Sequence, residues 1–156
     1  MKRVTRTERL ASAIRDYLFD ALGEEADKWN QSDTDLDLPV LLIENIFTGY
    51  KDIVDGAYVR PCCSILVPKR SNPDSYTTRY HIVVGIALDN SDQEMLERWG
   101  YAYMDMLEDV IKQDPHLGGC CLQTTGLGID SGELTGKFVV QAEFDVDVDR
   151  GGFIYE

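Results

Sequence analysis

No stretch of this 156-residue chain approaches the ~18 uninterrupted apolar residues of a membrane-crossing helix, which excludes a helical span. Cations are scarce: 15 Lys and Arg stand against 28 Asp and Glu, a net charge of -13. Such a surface repels phosphate instead of releasing its counterions. That disfavours a reader of DNA but suits the wall of a channel through which DNA slides. Histidine is limited to His81 and His116, and the four cysteines form two vicinal pairs, Cys62-Cys63 and Cys120-Cys121, without CxxC spacing. The usual signature of zinc binding or thiol exchange is therefore missing, and the cysteines read as reduced thiols in a cytoplasmic protein. Internal repeats, low-complexity segments and domain-length linkers are absent as well, so residues 1–156 read as one domain. The basic opening Met1-Lys2-Arg3-Val4-Thr5-Arg6 resembles the start of an export signal, but Glu8, Arg9 and Arg15 interrupt the apolar run that would have to follow.

What is present is a clear alternation of periods. Leu10, Ile14, Tyr17, Leu18, Ala21 and Leu22 recur at three- and four-residue steps and predict a helix over 5–22, capped by the Thr5/Glu8 box and ended by Gly23. The acidic stretch Glu24 to Leu38 reads as a loop with a turn of helix near Ala26 to Trp29. Val40 to Ile43, followed by Ile46-Phe47 before the turns at Gly49 and Gly56, predicts a short strand. Tyr58 to Pro68 predicts another, placed at a sheet edge by Pro61 and Pro68. After an exposed connection over Lys69 to Thr78 comes a central strand, Arg79 to Leu88, apolar enough for both faces to be covered. Ser91 to Glu94 caps a second amphipathic helix that Asp114-Pro115 closes. Trp99, Tyr101, Tyr103, Met95, Met104 and Met106 populate more than one of its faces; ordinary core packing accounts for most of this, and part of the helix is left to meet another subunit. Two strands finish the chain, Gly119 to Ile129 and Lys137 to Asp149, and the turn-rich Asp130-Ser131-Gly132 lies between them. The fold class is α+β: a small, mixed, mostly antiparallel sheet flanked by an N-terminal helix and one long helix.

Chemical motifs are weak. Gly126 to Gly132 superficially resembles a dinucleotide loop, but Ser131 occupies its sixth position and a strand follows where a phosphate site needs a helix N-terminus. Gly132 to Lys137 fails as a Walker loop at Ser131 and Phe138. A catalytic cysteine would need His81 or His116 beside it, and His81 falls in a strand predicted to be buried. Strand alternation turns one cysteine of each pair inward, so half of them should behave as small buried hydrophobes. The last strand sets Phe138, Val140, Ala142, Phe144, Val146 and Val148 against an acidic face of Glu143, Asp145, Asp147 and Asp149. At ~7 Å between alternate side chains, a flat strand spreads these carboxylates too far apart for calcium, so they read as a solvated face or a channel lining. No cofactor, metal or catalytic residue is expected.

The opening helix, the strand Tyr80 to Leu88, the helix Ser91 to Gln113 and the ending Asp114-Pro115-His116-Leu117-Gly118-Gly119 followed by two strands resemble, over most of the chain, the tail-terminator and tail-completion proteins of long-tailed bacteriophages. The acidic insertion Glu24 to Asp37 and the cysteine pairs depart from that layout. The resemblance implies a non-catalytic virion protein of the tail and neck region, assembled in the host cytoplasm. It would form a ring, usually a hexamer, that caps the tail tube and docks the head connector. Its partners would be its own copies, the tail tube protein and the connector protein, with no sequence-specific nucleic acid and no membrane. Glu143, Asp145, Asp147 and Asp149 are the candidates for an acidic lumen. The loops Asn72 to Thr78 and Gly128 to Lys137, with Asn72, Asp74, Tyr76, Asp130 and Glu133, are the candidates for axial contacts. The rivals are a connector stopper, neck or capsid accessory protein, a cysteine-dependent enzyme using His81, and a small ligand-binding module.

Overall fold

A computed structural model describes residues 3–149. Helix α1 spans Arg6–Ser32 and opens as its sequence requires: the Thr5 hydroxyl accepts from the Glu8 amide at 3.1 Å, while the Glu8 carboxylate accepts from the Thr5 amide at 2.8 Å. Gly23 does not end it. The buried stripe Leu10, Ile14, Leu18 and Leu22 continues to Ala26, and burying that extra turn outweighs the ~1 kcal/mol penalty of a helical glycine. The acidic stretch beyond it is likewise packed, not a free loop. Asn30 holds the Leu38 amide and carbonyl at 2.6 and 3.0 Å, and Leu36 and Leu38 are buried.

Of the short strand read over Val40 to Ile43 and Ile46-Phe47, only the second part forms: Val40 to Ile43 is not a strand, because only Leu41 of the four turns inward. A 3-10 turn over Ile43–Asn45 leads instead into β1, Ile46–Thr48, which pairs in parallel with Cys63 to Ile65 of β2, Cys62–Ser71. Strand β3, Thr77–Asp89, follows, then helix α2, Gln93–Gln113, and a hairpin of β4, Gln123–Leu134, and β5, Lys137–Asp149. The five-stranded sheet has the order β1-β2-β3-β5-β4 and every pair other than β1/β2 is antiparallel. The fold is thus α+β with a mixed sheet.

The central position of β3 agrees with its apolar pattern. The edge position read for the strand at 58–68 holds only in part, since β1 lies outside β2. Pro68 sits at the register shift between Leu66 and Lys69, beyond the reach of β1, where β2 has no outer neighbour among the described residues and a missing amide donor costs nothing.

Both helices lie on one face of the sheet. There, Ile82, Val84, Ile86, Phe138, Val140 and Phe144 pack against α1 and α2 in the main core. At Gly100, α2 lies so near the sheet that a Cβ there would overlap the Phe138 ring. The other face is covered only at one end. Residues 49–61 fold back over Cys62 and Ala87, with Ile53, Phe47 and Tyr58 forming a small second core. Arg60 staples that segment: its guanidinium donates to the carbonyls of Val54 at 2.7 Å, Gly56 at 3.0 Å and Ile53 at 3.2 Å. The remainder of this face is open, so β3 is covered on both sides over its second half alone.

Candidate assembly surfaces

On the open face the register of β3, β5 and β4 builds a strip of polar side chains. Arg79 opposes Asp147 and His81 opposes Asp145. Arg79 donates to both Asp147 oxygens, at 2.7 and 3.1 Å, and the Gln123 amide adds a third contact at 2.7 Å. Those hydrogen bonds, Arg79's first, hold the Asp147 carboxyl below the usual aspartate range against the opposing effect of its burial. Asp147 is 4% exposed, so it is not a wet lumen carboxylate. Alternation reports the side on which a residue projects but not what stands beside it. Asp145 is half-buried with its oxygen 2.9 Å from His81 Nδ1, and Glu143 and Asp149 are exposed. Of the four candidates for an acidic lining, Glu143, Asp145 and Asp149 therefore reach solvent. His81, predicted to be buried, lies half-exposed on this strip between Asp145 and Glu143, the latter at 3.9 Å.

The two candidate partner loops lie at opposite ends of the sheet, because β3 pairs Thr77 with Asp149 at one end and Asp89 with Lys137 at the other, roughly 40 Å away. The first is a true exposed tip: Asp74 accepts from the Tyr76 amide at 2.7 Å, and Tyr76 is 80% exposed. The second is not a loop. Asp130 and Glu133 lie within β4, paired with Gln141 and Phe138, and the connection shrinks to the tight turn Thr135-Gly136. The glycines that signalled a loop lie on a strand whose partner β5 supplies the pairing, and only Gly126, at the register shift, and Gly136, in the turn, adopt positive φ. Glu133 accepts from Gln93 at 2.7 Å and shares a hydrogen bond with Glu97, whose carboxyl is thereby raised in pKa.

All four thiols are buried rather than half of them, because Cys62 enters the small second core while Cys63 enters the main one, and Cys120-Cys121 sits in a turn instead of a strand. Burial pushes the Cys62 and Cys63 thiols up. The Cys120 thiol is raised chiefly by its hydrogen bond to Cys121. Among the described residues neither imidazole makes a hydrogen bond to a thiol, and no cluster of His, Cys, Asp or Glu is arranged to hold a metal ion. No helix among them is long and apolar enough to cross a membrane. Tyr101 on α2 stays 55% exposed, edge-on to Phe138, while Trp99 and Tyr103 turn inward to the carbonyls of Leu36 and Pro39.

Sequence reasoning missed the two uncovered strand edges, which no side-chain pattern signals. On β4 the edge is twelve residues long, and among the described residues β5 is its sole partner. The other edge is Leu66 to Ser71 of β2, beyond the three residues of β1. The chain matches no known family model, and no curated protein is detectably similar to it.

Proposed function

We propose that this chain is a non-catalytic structural protein of a phage or prophage virion. It forms a ring, of about six copies, at the head-proximal end of the tail tube, where it terminates the tail and joins it to the head connector. The observation that carries the reading is the pair of open sheet edges. Strand β2 is antiparallel to β3, β3 to β5 and β5 to β4, so β4 runs opposite to β2. The β4 edge of one copy is thus suited to pair with the β2 edge of the next in an antiparallel ladder. The same step repeated around an axis gives a heterologous contact that closes. Its acidic open face, with Glu143 and Asp145, would then border the bore, and the two ends of the sheet would face the tube protein and the connector protein.

Amide hydrogen exchange across a concentration series tests the pairing. Protection of Gln123 to Leu134 and of Leu66 to Ser71 is expected to rise together as the assembly grows. An assembled species in which both edges exchange as fast as in the monomer would rule this architecture out.

A further inference from the structure

The two open edges carry opposite charge. Lys69 and Arg70 are exposed on the β2 edge, and among the described residues neither forms an ion pair or a side-chain hydrogen bond; Asp145, which borders the cleft beside Lys69, is taken by His81. The β4 edge presents Asp130 and Glu133, and Glu97 of α2 adds a second carboxyl hydrogen-bonded to Glu133. Like edges brought together would set acid against acid or cation against cation, whereas β4 against β2 sets opposite charges side by side. Strand β1 limits how those two can meet. It occupies the outer side of β2 as far as Ile65, so Leu66 is the first residue open to a neighbouring strand. If copies stood level, the rows of the sheet would place Gly128 against Leu66, and Ile129 and Asp130 would fall where Thr48 and Phe47 already lie. Sliding β4 by six residues is the shortest shift that brings its end, Leu134, to Leu66 and clears β1. Being even, it also keeps every side chain on its own face.

We propose, building on the edge pairing above, that the β2 edge of one copy meets the β4 edge of the next in this one register: Leu66 opposite Leu134, Lys69 opposite Gly132, Arg70 opposite Ser131 and Ser71 opposite Asp130. Leu66 then enters a groove of about 450 Å³ lined by Val54, Val139 and Leu134 on the open face, and covers Leu134, which is 55% exposed in the single copy. Lys69 crosses Gly132, which has no side chain to obstruct it, and stands diagonal to Asp130. Arg70, on the helix side with its row partner Tyr80, stands diagonal to Glu133. Diagonal neighbours are ~7–8 Å apart, within reach of long side chains. The register narrows the protected part of β4 to Asp130 through Leu134.

Disulfide trapping on the full chain tests it. Leu66→Cys mixed with Leu134→Cys and oxidised with glutathione disulfide is expected to give a covalent dimer on a non-reducing gel, and the two substitutions in one chain a ladder of covalent oligomers; opposed Cα atoms in a ladder lie within disulfide reach. Leu66→Cys mixed with Gly128→Cys, the level alignment, is expected to give about tenfold less or none, as is the parent, whose four thiols are buried. Charge reversal at exposed positions gives a second reading. Lys69→Glu and Asp130→Lys are each expected to raise the concentration at half assembly about tenfold, and together to restore it to within about threefold. Cross-linking at Gly128 in place of Leu134 overturns this register and leaves edge pairing standing. Assembled copies that cross-link at neither position, or a double reversal no better than the single ones, also overturn it, and hydrogen exchange at the two edges then decides whether edge pairing survives. A chain that stays monomeric overturns both.

Discussion

On the face that α1 and α2 cover, β3 and β5 contribute Ile82, Val84, Ile86, Val140, Ala142 and Phe144, all at most 1% exposed. On the other face the same strands contribute Arg79, His81, Asp145 and Asp147, paired across the strands by an ion pair between Arg79 and Asp147 and a hydrogen bond between His81 and Asp145. One backbone therefore carries two chemistries. The covered face supplies stability through area removed from water. The open face keeps its charges and satisfies them locally, so that it remains polar without leaving Asp147 as an uncompensated buried charge.

Adjacent residues of β5 break the comparison most sharply. Phe144→Ala is expected to cost about 3–5 kcal/mol in urea denaturation, and Glu143→Ala, one position away on the open face, under about 0.5 kcal/mol. Similar costs for the two would mean that the open face is covered in the native assembly. Gly100→Ala probes how tightly the covered face is packed: the new Cβ meets the Phe138 ring, so a loss of about 1–3 kcal/mol is expected although alanine is the better helix former. Combining it with Phe138→Leu should recover part of that loss. On the open face, Asp147→Asn is expected to cost about 1–2 kcal/mol at neutral pH. Because the folded Asp147 carboxyl is shifted down, its contribution is complete above about pH 4, the unfolded value, and disappears as pH falls through the lower folded value. The gap between parent and variant in acid titrations should therefore close below about pH 4. The smallest effect runs the other way. Gly23→Ala, on α1 with nothing within 4 Å of the new methyl group, should stabilise by about 0.5–1 kcal/mol.

Periodicity made much of this architecture legible. The stripes of α1 and α2, the central β3 and the limits of β5 follow from apolar spacing and caps alone. The errors have physical causes. Gly23 signalled a helix end, yet the inward face of Ala26 carried α1 onward; the glycines of β4 signalled a loop, yet pairing with β5 held them in a strand. Asp147 read as solvated because its partner Arg79 is 68 residues distant and meets it only through register. Arg60 left no trace in any pattern, since it binds carbonyls, which every residue has. As for the candidate surfaces, the hairpin tip at Asn72 to Tyr76 was readable from its turn residues. The open edges were not, because they are defined by what lies next to them in space.

The central claim is that copies of this chain close into a ring through their strand edges. Native molar mass by light scattering over a wide concentration range, with electron microscopy of the largest species, tests it most directly. The account predicts a closed ring of about six copies. A monomer at every concentration, or an open filament in place of a ring, would contradict it.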